Sequence, residues 1–205
     1  LPDKAFDLAI VDPPYGIGED GGSNKHRATP NKAWKNPRPA GYEKKEWDNK
    51  TPNEKYFSEL FRVSKNQIIW GGNYFPLPPS PCWLVWYKAG QNPNTDFSDC
   101  ELAWASFKTS VRYFAFPWIG FGAVNAKESR IHPTQKPVAL YKWLLSRYAK
   151  PGDRILDTHG GSGSICIAAH DLGYDLTWME KDADYYKAAC KRYKDHAAQA
   201  VLFEP

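Results

Sequence analysis

Asp12-Pro13-Pro14-Tyr15 is the densest piece of chemistry in the sequence. Its two prolines fix φ and carry no N–H, so their carbonyls stand as acceptors with little local freedom. Asp12 adds a carboxylate acceptor, and Tyr15 adds a flat ring against which another ring can stack. Two acceptors beside a stacking face suit the exocyclic amino group of a planar base. A second group is Asp157-Thr158-His159-Gly160-Gly161-Ser162-Gly163, whose glycines let a ligand approach the backbone at the start of a helix. No Gly-Lys-Ser/Thr follows it, which excludes a Walker loop, and a G-x-G-x-x-G counted from Gly161 and Gly163 fails at Cys166. Glu180 lies 19 positions past Gly161, close to the spacing at which an acidic residue takes ribose hydroxyls in dinucleotide folds, with Asp182 as the alternative. A fourth segment, Arg130-Ile131-His132-Pro133-Thr134-Gln135-Lys136-Pro137, concentrates polar donors ahead of a helix. His26, His159, His170 and His196 show no ligand spacing, and Cys82, Cys100, Cys166 and Cys190 form no C-x-x-C. Neither a metal site nor a disulfide scaffold is expected.

These groups need elements to hold them. The apolar run 7–11 reads as a buried strand, which the two prolines end. From 16 to 50 apolar periodicity disappears, predicting a long loop. Thr51-Pro52-Asn53-Glu54 reads as a helix start with Thr51 as N-cap, followed by Tyr56, Phe57, Leu60, Phe61 and Val63 turned inward. Strands are predicted over 67–70, 82–87, 101–107 and 112–118, all rich in aromatics. Pro137 opens a helix that Lys150-Pro151-Gly152 stops, and a short strand 154–157 feeds the glycine turn. A helix 164–172 capped by Gly173, a strand 175–180 and a helix 183–198 with Tyr186, Ala189, Cys190 and Tyr193 at helical spacing complete the chain. Strands alternating with helices predict an α/β fold with a mostly parallel sheet.

Together the four segments resemble the S-adenosylmethionine-dependent DNA amino-methyltransferases, especially the N6-adenine branch. Trp70-Gly71-Gly72-Asn73-Tyr74-Phe75 is similar to a segment of bacterial and phage members. The order, catalytic motif first and glycine motif last, resembles the circularly permuted β class. The resemblance implies a Rossmann-like class I methyltransferase fold with a seven-stranded type of sheet. Asp12, Pro13, Pro14 and Tyr15 would then be catalytic. Asp157, His159, Gly161, Gly163 and Glu180 would hold S-adenosylmethionine, with Thr134, Lys136 and Asp12 beside it. The substrate implied is adenine N6 in double-stranded DNA, flipped out of the stack. A homodimer and a separate restriction endonuclease are further expected partners. Members commonly carry Asp-Pro-Phe where this chain has Asp157-Thr158-His159. The interval 116–129 holds only a short recognition loop, which moves recognition to the insertion 18–50. N4-cytosine methylation, RNA adenine methylation and an inactive nucleic-acid binder are the alternatives; N4 enzymes more often carry Ser at position 12.

The chain of 205 residues suits one catalytic domain, 1–205, and 15% aromatic content excludes a disordered one. No apolar run approaches the ~18 residues needed to cross a bilayer. Leu1, followed closely by Asp3 and Lys4, shows no secretory pattern, and a cytoplasmic location is expected. The net charge of +4 is mild, yet 24–45 contains Lys25, Arg27, Lys32, Lys35, Arg38, Lys44 and Lys45 against the single acid Glu43. Trp34, Pro37 and Tyr42 are interleaved with these charges, which predicts a phosphate-gripping arm next to Tyr15.

Overall fold

Leu8-Ala9-Ile10-Val11 has no polar alternation and is buried on both sides, as an interior parallel strand requires. In the computed structural model, which describes residues 1–21, 43–89, 98–118 and 130–200, this run belongs to β1 (Phe6–Val11) of a seven-stranded sheet. The elements continue as α1 (Glu54–Val63), β2 (Ser64–Trp70), a 3-10 turn (Gly72–Tyr74), β3 (Cys82–Tyr87), β4 (Cys100–Ala105) and β5 (Arg112–Ala115). Then come α2 (Val138–Tyr148), β6 (Arg154–Asp157), α3 (Ser164–Leu172), β7 (Asp175–Trp178) and α4 (Ala183–Ala200). The order across the sheet is β5-β3-β4-β2-β1-β6-β7. β4 runs against both of its neighbours, and the other pairings are parallel. This is the mostly parallel α/β sheet that the sequence predicts.

The period of two splits the apolar residues between two faces. Leu8 and Ile10 of β1 join Ile68 and Trp70 of β2 under α2 and α3. Ala9 and Val11 join Ile69 and Leu156 under α1. The crossover from β1 to β2 therefore covers one face, and that from β6 to β7 covers the other. β1 and β6 are parallel neighbours, so the chain turns outward in opposite directions between them. Such a switch point opens a crevice beyond the carboxyl ends of the two strands.

Several element limits differ from expectation. Asn53, not Thr51, caps α1: its side chain accepts from Tyr56 N–H at 3.1 Å, and Phe57, Leu60 and Val63 are the buried face. The strand expected over 112–118 ends at Ala115, and the one expected over 101–107 covers Cys100–Ala105. β7 ends at Trp178, which leaves Glu180 in the turn beyond it. On α4 the buried tyrosine is Tyr185, while Tyr186 is half exposed. Tyr186 stacks on Trp178, an aromatic contact that helical spacing alone does not distinguish from core packing. Among the described residues no helix is long and apolar enough to cross a membrane.

Candidate active site at the switch point

Asp12 follows β1 directly into the crevice. Both of its oxygens are engaged. The Tyr15 hydroxyl donates to Oδ1 at 2.6 Å, and Lys136 Nζ donates to Oδ2 at 2.7 Å. A carboxylate oxygen accepts more than one hydrogen bond, so each keeps capacity for an incoming donor. Lys136 is almost fully buried, and a second carboxylate shares its ammonium: Glu101 Oε2, on β4, stands 2.9 Å away. Lys88, just past β3, pairs with Glu101 Oε1 at 2.6 Å. Burial pushes the Asp12 carboxyl up, Lys136 draws it back, Glu101 adds to the rise, and the balance lies above the ordinary value. Glu101 is opposed by burial too, but Lys136 and Lys88 outweigh it and hold Glu101 at about 2. Burial works against the Lys136 charge, and the two carboxylates more than restore it.

The Tyr15 ring is fixed from several sides. Tyr74 stacks on it at 5.0 Å and 12°, and Phe75 meets its edge at 6.2 Å. Gly71 has φ +66, and a Cβ there would come within 2.2 Å of the Tyr15 ring, so both backbone and space demand glycine. The Gly71-Gly72-Asn73-Tyr74-Phe75 segment is thus the wall that seats Tyr15. The stacking face expected of Tyr15 alone is shared, since Tyr74 is the half-exposed ring of the pair.

Asp157 ends β6 on the adjoining strand, and its Oδ1 accepts from His159 N–H at 2.9 Å. Burial raises its carboxyl to about 8, with Asp12 and Glu180 adding to the rise against that backbone hydrogen bond. The glycine turn then folds over β7: Gly160 lies so close to Trp178 that a Cβ would overlap the indole nitrogen. Glu180 braces this turn. Its Oε2 accepts from Gly161 N–H and its Oε1 from Asp182 N–H, both at 2.7 Å. His159 is held from α1, where the Tyr56 hydroxyl sits 3.3 Å from Nδ1 and 2.8 Å from Thr158 Oγ1. Burial lowers His159 and His132 to about 4, helped at His132 by the Lys136 charge, so both rings are neutral near pH 7. His132 packs between Trp47 and Tyr185 and faces Gly161. Thr134 is exposed, with Oγ1 3.2 Å from His132 Nδ1. Lys136, expected beside the cofactor, is aimed at Asp12.

Residues 82–191, more than half of the chain, match the N6/N4 methyltransferase family model described as DNA methylase. YubD of Escherichia coli (strain K12), named as a candidate methylase, is 36% identical over 206 residues, covering 94% of this chain and 83% of its own. The chain belongs to the DNA methylase family. The type II methyltransferase M.HpaI of Haemophilus parainfluenzae is 23% identical over 232 residues, spanning 94% of this chain and 69% of that protein. Among solved structures, the M1.HpyAVI–SAM complex has a TM-score of 0.56 at 19% identity, over 91% of this chain and 88% of that one. The cytosine-N4-specific PvuII DNA methyltransferase has 0.53 at 12% identity, over 100% and 88%. At these identities the superpositions show the shared fold.

In this DNA methylase the basic arm is described only at its two ends. Asp48 ties them together, accepting from Gly16 N–H at 2.9 Å and Glu19 N–H at 2.8 Å. Lys25, Arg27, Lys32, Lys35 and Arg38 lie outside the described residues. Lys44 is exposed, as a phosphate contact would require. Lys45 is engaged within the fold: its ammonium lies 2.9 Å from Asp182 and 2.8 Å from Asp184. The structure also brings together His170, Asp171 and His196, which sequence spacing does not suggest as a cluster. They sit at the far end of α3 from the glycine turn, paired with one another and with Lys142. Glu101, Lys88, Asp48 and Trp47 escape sequence reasoning because none belongs to a motif. Only a glutamate in an otherwise apolar aromatic strand hints at Glu101.

Proposed function

We propose that this methylase moves a methyl group from S-adenosylmethionine to N6 of an adenine flipped out of double-stranded DNA. The observation that carries the reading is the Asp12 carboxylate, clamped by Lys136 and Tyr15 on the strand next to the glycine turn. The donor set around the turn fits the cofactor. Glu180 presents a fixed carboxylate for ribose hydroxyls, and Asp157 a carboxyl that can ionise against a cationic methionine amino group. The M1.HpyAVI–SAM complex, with the same fold, supports this assignment. When bound, S-adenosylmethionine supplies an electrophilic methyl group on a positively charged sulfur.

This chain's residues prepare the nucleophile. The amino nitrogen of adenine is weak because its lone pair is spread into the ring. Asp12 and the Pro13 carbonyl each accept one N–H, which favours a more tetrahedral nitrogen with a localised lone pair. Pro13 and Pro14 hold those acceptors still, so orientation is set before the reaction. The Tyr15–Tyr74 stack replaces part of the stacking that the flipped base loses. Asp12 then accepts the proton that the nitrogen sheds as it is methylated. Thr134, His159 and Gly163 shape the cofactor side, and the insertion 18–50 of the single domain 1–205 grips phosphates through its basic residues.

Double-stranded DNA incubated with isotope-labelled cofactor and digested to nucleosides should carry label in N6-methyladenine. Asp12→Ala should lose at least about a hundredfold in rate while still binding cofactor. Label confined to N4-methylcytosine would replace this reading with that of the PvuII type, and label found only in RNA would move the substrate.

A further inference from the structure

We propose that Glu101 is a positioning residue for Asp12: by sharing the Lys136 ammonium it keeps that cation from neutralising Asp12 fully, and so leaves Asp12 able to take the proton. This rests on the reading of Asp12 as acceptor for the amino group. β4 runs antiparallel, which brings its first residues to the edge where the parallel strands end. Glu101 therefore stands at the catalytic edge although it lies at the start of its strand, next to Cys100. Lys136 Nζ lies 2.7 Å from Asp12 Oδ2 and 2.9 Å from Glu101 Oε2, with the Trp70 ring 5.2 Å away and only 3% of the Lys136 side chain exposed. Glu101 Oε2 is shut off from water and meets Lys136 as an ion pair. Its negative charge acts on Asp12 directly and through the cation that both carboxylates share.

The charges balance. Asp12, Lys136, Glu101 and Lys88 sum to zero before reaction, counting each in its ionised form. When the amino nitrogen gains its methyl group and gives one N–H proton to Asp12, the cluster rises to +1 and returns to zero once water removes that proton. With glutamine at 101 the same step would run from +1 to +2, which disfavours it in a buried site. The groups facing Asp12 are Tyr15 beside it, Lys136 ahead of α2, Tyr141 on α2, Asp157 on β6 and Glu101 on β4. Of these Glu101 and Asp157 are the further carboxyls, and Glu101 is the one held ionised.

The test is Glu101→Gln, read by two measurements. The first is single-turnover methyl transfer against pH, with cofactor affinity measured alongside. The second follows the Asp12 carboxyl carbon by NMR in protein carrying carbon-13 aspartate, assigned by its loss in Asp12→Asn. The expected result is cofactor affinity within about twofold of wild type and transfer slowed about tenfold. The acid limb of the rate profile and the Asp12 midpoint should both move about one pH unit lower. Glu101→Asp, which keeps the charge, should recover part of the rate. Should Glu101→Gln fail to fold, Lys88→Met reads the same coupling with opposite sign, because an unscreened Glu101 draws Lys136 away and moves the Asp12 midpoint higher. An unmoved midpoint in a folded variant overturns the proposal, as does a rate loss matched by lost cofactor binding. If the wild-type protein methylates no nucleic acid, the proposed function fails, while the Asp12 midpoint still decides whether Glu101 acts on it.

Discussion

Asp157 carries a proton where most aspartates do not. Burial holds its carboxyl near 8, so at neutral pH it presents a neutral acid to an incoming cation. A positive amino group beside it favours the carboxylate, and binding below pH 8 should release up to one proton. Calorimetry at about pH 6.5 in two buffers of different ionisation enthalpy should detect that release, and Asp157→Asn should abolish it. The sign for folding follows from the same shift. Between about 4 and 8 the folded protein keeps this proton and the unfolded chain does not, so stability falls as pH rises through that range. Asp157→Asn should flatten this slope in denaturant titrations. The sequence places Asp157 at a strand end before glycines; its protonation depends on burial, to which Asp12 and Glu180 add from the segments that follow β1 and β7.

At the scale of elements, the turns carry more chemistry than the strands. Gly71 closes β2 and lets Tyr15 seat itself directly on the backbone. Alanine there meets the ring at 2.2 Å and must hold φ at +66. Gly71→Ala should therefore cost about 1–3 kcal/mol in unfolding free energy. It should also slow methyl transfer about tenfold by tilting Tyr15 away from Asp12, while cofactor affinity stays unchanged. Strand and helix cores were readable from period and composition: β3, β6 and α3 fall on their predicted residues. Their ends were less so. Thr51 and Asn53 are both good caps, and only the packing of Phe57 and Leu60 on the sheet selects the helix phase that makes Asn53 the cap. Likewise Tyr185 and Tyr186 are equivalent to a helical count, and the neighbouring His132 ring decides which is buried.

The whole molecule concentrates its positive charge in one place. The net charge is +4, but residues 24–45 carry +6, so the rest is slightly acidic. Neutralising Lys32, Lys35 and Arg38 together should weaken DNA binding and reduce the salt slope by about 2 to 3, leaving cofactor affinity unchanged in fluorescence titrations. Lys45→Ala should leave the salt slope intact, because its ammonium is already paired with Asp182 and Asp184. By itself the sequence determined the identity of the chemical groups and the strands that carry them. Prolines, glycines and apolar runs act on the backbone within a few residues, so their meaning is local. Only the tertiary structure decided which charges meet. Asp12, Lys136, Glu101 and Lys88 come from four separate segments, and no periodicity links them. They converge because an antiparallel strand delivers its start to the edge where parallel strands end, and a buried cation must then find its carboxylates there.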